Sequence, residues 1–335
     1  MAANRNFANV NFFIMVKIGV IGAGQLGQMH IRCIQNIPEF ALVGFMEDDD
    51  AQASRIEKEY GIHRFLNTDT FFDQVDAVDI LVPTQTHFEL ASRAIKASKH
   101  VFIEKPLAHT LDEARELVEL AYEGNVHIQV GHRERFNPAL LQAVQYDLRP
   151  LFIEANHSRV IDPSRNVNVV MDLMLQDIDI VLSLIRSNVK KIRAFGLNTE
   201  GDSPDMVNAR IEFDNGCVAN LSASRIAEKE ESSMRVYEKN RVVTIDYLHQ
   251  SSQQFVFQRS GNHQNISSIP SVIPGVKSLT DIRSDTYGMV QHELGLFKES
   301  INSNLSTAIN VQDGYNALNI AFQILEKIQS KANIR

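Results

Sequence analysis

The alternation of short apolar runs with helical segments between residues 16 and 131 constrains the fold more than any other feature of the sequence. Five runs have the length and composition of buried strands: 16–21, 40–46, 75–82, 101–104 and 126–130. Most of the segments between them have the apolar spacing of helices. Such alternation is typical of parallel βαβ units. It predicts a doubly wound parallel sheet as the first domain, over residues 16–131.

The pattern changes after residue 131. A long apolar helix is predicted at 168–186, and consecutive strand patterns with short turns follow it between 191 and 247. Residues 249–285 are polar and are predicted to form an extended arm or loop with one strand at 255–258. Two helices close the chain. The sequence therefore predicts an α/β chain whose second domain, over residues 132–335, contains an open and mainly antiparallel sheet.

Composition excludes several classes of function. The 41 acidic and 33 basic residues give a formal charge of −8, which disfavours a nucleic-acid partner. No apolar run reaches the roughly 20 residues that span a bilayer, so no membrane partner is expected. Two cysteines cannot form a disulfide framework, which predicts a reducing, cytoplasmic compartment. Residues 1–15 are predicted to be a frayed leader or an over-extended start, and no metal-ligand spacing is present.

A glycine-rich turn follows the first predicted strand. Gly22, Gly24 and Gly27 form a G-x-G-x-x-G pattern that opens a predicted helix, with Gln25 and Leu26 in its first turn. In this setting the first glycine permits the tight turn, the second lets the backbone approach a pyrophosphate, and the third lets helix and strand pack closely. The amides at the helix N-terminus add donors for phosphate. A dinucleotide cofactor is the predicted ligand.

An acid follows the second predicted strand about 20 residues after these glycines. Glu47 can accept hydrogen bonds from the ribose hydroxyls and repels a 2′-phosphate, so NAD is favoured over NADP. The next loop of the crevice contributes Pro83, Thr84 and His87 as candidate cofactor contacts, although a histidine there can instead cap its own helix.

Two polar groups are candidates for catalysis. The fourth predicted strand ends in Glu104 and Lys105, beside the predicted cofactor; the lysine can bond to a substrate hydroxyl, or it can be a surface residue. The long apolar helix contains Asp172, Gln176 and Asp179, which share one face because they stand at positions i, i+4 and i+7. This stripe either faces the cleft or caps a neighbouring element.

These features together resemble the glucose–fructose oxidoreductase, inositol dehydrogenase and MocA family from residue 16 onward. The first half contains GVIGAGQLGQMH, VPTQTHFE and EKPLAHTLDEA, and the second contains GHRERFNPA, DLMLQDIDIVLSL and NARIEFDNGCVANLSASR. The last group is most similar to the branch that oxidises the 3-hydroxyl of UDP-N-acetylglucosamine for 2,3-diamino-sugar lipid A. The resemblance implies a Rossmann domain, and a second sheet that forms a homodimer or homotetramer interface.

The resemblance also implies roles for particular residues. Lys105 matches the lysine of the family's E-K-P motif, and Asp172 matches the acid of its D-x-x-x-H helix motif. Position 176 departs from that motif, since Gln176 stands where the family has histidine, and an amide cannot accept a proton at neutral pH. Lys105 could then act as the base itself, or the step could be slow or lost.

Four residues are candidates for substrate binding: Arg133, Arg135 and Arg159, whose guanidinium groups suit a diphosphate, and Asn137, which lies with the first two where the second domain opens at the cleft. The alternative for each arginine is a salt bridge to Glu134 or Glu154. The predicted function is NAD-dependent oxidation of a secondary hydroxyl on a small-molecule substrate, UDP-N-acetylglucosamine. The alternatives are a dehydrogenase of a free sugar or polyol, and a non-catalytic NAD-bound sensor, which Gln176 would favour.

Overall fold

The computed structural model describes residues 15–160, 168–199, 203–256 and 285–332. The predicted leader, apart from Met15, and residues 257–284 of the predicted arm lie outside these ranges. Within them, no helix has the length and apolar character needed to cross a membrane.

The first sheet has six parallel strands in the order β3-β2-β1-β4-β5-β6. Their bounds are β1 Val16–Ile21, β2 Phe40–Met46, β3 His63–Arg64, β4 Ala77–Ile80, β5 His100–Glu104 and β6 Ile128–Gly131. The predicted doubly wound sheet is thus confirmed, with one extra strand, since β3 has only two residues and leaves no apolar run to detect. The strand order reverses between β1 and β4, and ligands of such sheets bind at the carboxyl ends of the strands on either side of that reversal.

Five helices cover the two faces of this sheet: α1 Gln25–Gln35, α2 Asp50–Tyr60, α3 Thr68–Gln74, α4 His87–Lys96 and α5 Leu111–Gly124. Local sequence explains their ends. Thr110 and Glu113 form a capping box at the start of α5, and Gly61 ends α2 in the left-handed conformation. The short helix α3 was not predicted; its polar first turn, capped by Asn67, has little apolar periodicity.

The second sheet has seven strands in the order β13-β12-β11-β7-β10-β9-β8. Their bounds are β7 Phe152–Val160, β8 Val189–Leu197, β9 Met206–Phe213, β10 Val218–Ala227, β11 Glu231–Tyr237, β12 Arg241–Asp246 and β13 Ser251–Val256. Among the described strands of this second sheet, only the β7–β10 pair is parallel, so the mainly antiparallel sheet is confirmed. One face packs on α6 Pro138–Val144 and on α7 Leu175–Leu184, which continues a π-helical turn, Val170–Met174.

The last two helices tie the halves of the chain together. Helix α8, Thr286–Ser303, places Val290, Leu294 and Phe297 in the core beside β1 and α1. Helix α9, Val311–Ala332, joins the core of the second sheet and also packs on α5. The two sheets separate near residue 131, whereas α8 returns to the first sheet; a domain boundary at that position stays a prediction.

Candidate active site

The glycine-rich turn lies between β1 and α1, where the sheet order reverses. Gly22 has φ +91°, and a Cβ there would lie 2.6 Å from the carbonyl oxygen of Leu81. A Cβ on Gly27 would lie 2.1 Å from the carbonyl oxygen of Gly22. Apart from its chain neighbours, a Cβ on Gly24 would have no other atom within 4 Å, so the backbone at Gly24 borders open space. The first turn of α1, with Gln25 and Leu26, directs its amides at that space, as a pyrophosphate requires.

Alanine substitutions separate the two kinds of glycine. Gly24→Ala should leave the free energy of unfolding within about 0.5 kcal/mol of the original, because the new methyl group meets no protein atom. It should raise the dissociation constant of NAD at least tenfold, or about 1.4 kcal/mol, because the methyl group occupies the space of the phosphates. Gly27→Ala should lower the free energy of unfolding by about 1–3 kcal/mol, since the carbonyl oxygen of Gly22 must move. Unchanged NAD affinity in Gly24→Ala, measured by fluorescence titration, would contradict this assignment.

Glu47 stands at the end of β2, beside the turn. Its Oε2 accepts hydrogen bonds from the Ala23 amide and from Gln52 Nε2, both at 2.9 Å. Arg64 of β3, which the sequence analysis missed, donates to the Glu47 carbonyl at 2.7 Å and to Asp50 Oδ1 at 2.7 Å. The guanidinium therefore braces the end of β2 next to the Glu47 carboxylate, for which hydrogen bonding to the adenosine ribose of a dinucleotide stays a prediction.

His87, which is a predicted cofactor contact, is buried at the start of α4, behind the loop that follows β4. Pro83 is exposed and Thr84 opens a short 3₁₀ turn, but the His87 ring is buried below them. Its Nδ1 lies 3.0 Å from the Pro106 carbonyl oxygen and its Nε2 lies 2.9 Å from that of Val82. Both ring nitrogens thus face carbonyl oxygens of the protein; burial lowers the pKa of His87, and the neutral ring donates to one of these two oxygens. The residue connects the β4 loop to the loop that carries Lys105.

Lys105 and Asp172 meet across the two halves of the chain. Nζ of Lys105, at the end of β5, donates a 2.7 Å hydrogen bond to the backbone carbonyl of Asp172 and lies 4.0 Å from Oδ1 of its carboxylate. The other carboxylate oxygen, Oδ2, accepts a 3.0 Å hydrogen bond from Arg159 Nη1. The structure therefore brings together three residues that the sequence analysis singled out separately.

The charge environment of Lys105 is mixed. Burial lowers the pKa of its ammonium group, and the nearby cations Arg133 and Arg159 act in the same direction. The carboxylates of Asp172 and Glu104 oppose this shift. An ammonium held in such a place is a strong donor to an oxygen that gains negative charge.

Glu104 faces the buried side of β5. Its Oε1 lies 3.7 Å from His30 Nε2, and the other nitrogen of that imidazole lies 2.8 Å from Asp79 Oδ2. Burial raises the pKa of Glu104, with His30 and Arg133 opposing the shift. These contacts fix the end of β5 next to Lys105; a contact of Glu104 with the cofactor stays a prediction.

The four candidate substrate residues divide into two pairs. Arg135 donates to both carboxylate oxygens of Asp179, at 2.6 and 2.7 Å, and Asp179 is 1% exposed. Asn137 is buried as the N-cap of α6 and also donates to the Tyr247 carbonyl. Neither residue borders the cavity that Arg133 and Arg159 line, although Arg135 borders another cavity of about 690 Å³, so substrate binding by these two residues stays a prediction. A buried carboxylate needs a partner, and Asp179 takes Arg135.

Arg133 and Arg159 do border a cavity of about 460 Å³, within the range of small-molecule sites. Gln176 of α7 lies in the same wall, one helical turn after Asp172. The rest of the lining is polar with a few apolar groups: Glu134, His157, Ser158, Val160, Glu230, Glu231, Ser232, Tyr247 and Leu248. Sequence reasoning missed most of these residues because they come from β7, β11 and the turn after β12, which only the sheet register brings together.

Comparison with known proteins agrees with this geometry. The family model described as an oxidoreductase family with an NAD-binding Rossmann fold, GFO/IDH/MocA, matches residues 16–132, and the GFO/IDH/MocA C-terminal domain matches residues 112–242. A UDP-N-acetylglucosamine 3-dehydrogenase from Acidithiobacillus ferrooxidans is 32% identical over 79% of this chain and 82% of its own length. This chain belongs to the GFO/IDH/MocA family.

Solved structures extend the match to the second half. A UDP-N-acetylglucosamine 3-dehydrogenase from A. ferrooxidans superposes with a TM-score of 0.83 at 29% identity, over 94% of this chain and 98% of that one. A scyllo-inositol 2-dehydrogenase (NAD⁺) from Bacillus subtilis is 27% identical over 63% of this chain and 67% of its own length. A levoglucosan dehydrogenase in complex with NADH has the same fold, with a TM-score of 0.83 at 20% identity over 94% of this chain and 97% of that one.

Membership of the GFO/IDH/MocA family makes the protein an NAD-dependent oxidoreductase that acts on CH–OH groups. The residues of the crevice fit that cofactor. Gly24 borders open space and the first turn of α1 supplies amide donors, as a bound diphosphate would need, while a contact of Glu47 with the ribose stays a prediction.

Proposed function

We propose that this protein oxidises a secondary hydroxyl of a nucleotide sugar, namely the 3-hydroxyl of UDP-N-acetylglucosamine. The observation that carries the proposal is the cavity in which Arg133 and Arg159 accompany Gln176, next to the Lys105–Asp172 contact. The A. ferrooxidans relative, which is named for this activity, supports the same substrate.

The two arginines suit the diphosphate of such a substrate. A guanidinium carries five N–H donors, and among the described residues Arg159 donates one hydrogen bond to Asp172, which leaves donors for a ligand. The buried Nε of Arg133 lies 3.9 Å from Oε1 of Glu134, too far for a hydrogen bond, and has no hydrogen-bond partner among the described residues. A buried N–H without a partner is costly, and a phosphate oxygen would satisfy it.

Lys105 holds the reacting oxygen. NAD, when bound, accepts the hydride that leaves the substrate carbon. The Lys105 ammonium donates a hydrogen bond to the hydroxyl oxygen and stabilises the negative charge that develops there. The Asp172 carbonyl fixes the position of Nζ, and its carboxylate fixes Arg159. The amide of Gln176 can orient a sugar hydroxyl but cannot take its proton.

The outer face of the second sheet supports self-association, the other part of this proposal. Phe195 and Leu197 on the edge strand β8, and Met206 on its neighbour β9, are exposed apolar side chains. Exposed apolar residues grouped on one sheet are typical of an interface, and a second copy of the chain is the partner we propose.

Cys33 and Cys217 are both free and buried, which supports a reducing, cytoplasmic compartment.

Turnover of the purified protein tests the substrate. With NAD and UDP-N-acetylglucosamine, the absorbance of reduced nicotinamide should rise, and free N-acetylglucosamine, inositols and hexoses should react at least a hundredfold more slowly. Arg133→Ala should raise KM for the nucleotide sugar about tenfold, the equivalent of one charged hydrogen bond. Turnover of inositols or free hexoses but not of the nucleotide sugar would replace the proposed substrate by a free polyol. Tight NAD binding without turnover of any sugar would favour a sensor.

A further inference from the structure

The cavity contains an imidazole that the mechanism above does not use. His157 lies on β7, where inward and outward side chains alternate, so that His157 and Arg159 share the face that packs towards α7. Arg159 reaches Asp172 from this face, and His157 borders the cavity together with Gln176. The His157 imidazole therefore borders the same cavity as Gln176, whose amide cannot accept a proton.

A carboxylate stands behind this imidazole. Nδ1 of His157 lies 3.7 Å from Oδ2 of Asp177 on α7, and the two side chains are 10% and 4% exposed. Neither atom has a hydrogen-bond partner among the described residues. The distance is longer than a hydrogen bond, but such catalytic contacts are often long without substrate and tighten when it binds. With the Nδ1 side of the ring towards Asp177, Nε2 is the nitrogen left for a ligand in the cavity.

We propose that His157, oriented by Asp177, is the base that takes the proton of the substrate hydroxyl in this protein. The inference rests on the proposed dehydrogenase function. In the step, the C–H bond breaks and its electron pair leaves as hydride to NAD. The O–H bond breaks and its proton passes to Nε2 of His157, while the carbon–oxygen double bond of the ketone forms. Asp177 stabilises the imidazolium, as the carboxylate does in other acid–imidazole pairs.

The other groups around the cavity are less suited to this role. The charged and titratable side chains there are Arg133, Glu134, Arg159, Glu230, Glu231 and Tyr247. Burial, together with Asp177 and Glu134, raises the pKa of Tyr247 well above its usual range, so its hydroxyl stays protonated. A carboxylate is a weaker base than an imidazole, which is the side chain that most often serves as a general base.

His157→Gln tests the inference on whichever alcohol the original protein oxidises fastest. We expect kcat to fall about 10²–10⁴-fold, the usual contribution of a base. The affinity for NADH and the thermal midpoint should stay unchanged, and the acidic limb of the kcat/KM profile should disappear. His249→Gln is the matched control, because His249 also faces a carboxylate, Asp246 at 2.8 Å, but its side chain is 79% exposed. It should leave the rate and the pH profile unchanged.

Asp177→Asn gives a second test that keeps the imidazole in place. Loss of the neighbouring anion disfavours the imidazolium, so the acidic limb should move to lower pH and kcat should fall about tenfold or more. Adding Gln176→His to His157→Gln should recover at least tenfold, because position 176 borders the same cavity.

The outcomes separate this inference from the proposed substrate. If His157→Gln keeps kcat within threefold and retains the acidic limb on UDP-N-acetylglucosamine, the base is another group and the substrate stands. If the original protein oxidises only a free polyol and His157→Gln abolishes that reaction, the assignment of His157 as the base is supported and the proposed nucleotide-sugar substrate is wrong. An original protein without turnover of any alcohol would overturn both.

Discussion

Lys105→Ala should lower kcat about 10²–10³-fold, the usual effect of losing one donor to a developing oxyanion. Nζ of Lys105 is held 2.7 Å from the Asp172 carbonyl oxygen, and no neighbouring cation can replace it without moving. Arg159 already pairs with Asp172 Oδ2, so its guanidinium is fixed on the far side of that carboxylate. Steady-state rates with saturating NAD and sugar measure the loss.

Affinity for NAD separates this effect from a binding defect. The turn at Gly24 and the Glu47 carboxylate supply the proposed contacts with the dinucleotide, so Lys105→Ala should change the dissociation constant by less than about fivefold. Lys96→Ala removes an exposed lysine from α4 of the same sheet and serves as the control. A Lys105→Ala variant with full kcat, or with a rate loss entirely recovered at higher NAD concentration, would contradict the assigned role.

The cofactor half of the site was largely predictable from the sequence. Gly22, Gly24 and Gly27 follow one strand and Glu47 ends the next, so their chemistry is local and the parallel topology alone brings them together. The same holds for Lys105, which ends β5. The placement of these residues in the structure agrees with the sequence analysis, because short-range pattern and sheet topology determine it.

The substrate-binding half of the site could not be predicted from the sequence in this way. Arg133 and Arg135 are two residues apart in a 3₁₀ turn, yet one borders the cavity and the other binds Asp179. Asp179, the partner of Arg135, lies on α7, so the difference appears only when α7 packs against this turn. His157 likewise acquires its neighbour Asp177 only through packing of α7 on β7. No sequence pattern encodes such contacts.

The packing of α8 on the first sheet could not be predicted from the sequence either, because it also depends on contacts between distant segments. Its core residues, Leu294 and Phe297, have helical spacing that shows an apolar face but not which sheet covers it. The ion pair between Lys298 and Glu39 joins segments 259 residues apart. A contact of that sequence separation is a property of the folded chain.

Arg135→Ala should be the most destabilising of the substitutions considered. It leaves the Asp179 carboxylate, 1% exposed, without its two hydrogen bonds. Removing one partner of a buried ion pair costs about 3–5 kcal/mol, because the remaining charge is uncompensated. Denaturant unfolding of the variant should show this loss, whereas Arg149→Ala, which breaks the exposed pair with Asp147, should cost less than about 1 kcal/mol.

A double variant identifies the cause of the loss. Arg135→Met combined with Asp179→Leu removes both charges, so it should regain most of the stability that Arg135→Ala loses. If Arg135 instead bound the substrate, Arg135→Ala would stay as stable as the original protein and would raise KM for the nucleotide sugar, as expected of Arg133→Ala. The structure predicts the opposite pattern for the two arginines: Arg135 supports the fold through Asp179, and Arg133, whose buried Nε has no hydrogen-bond partner among the described residues, serves the ligand.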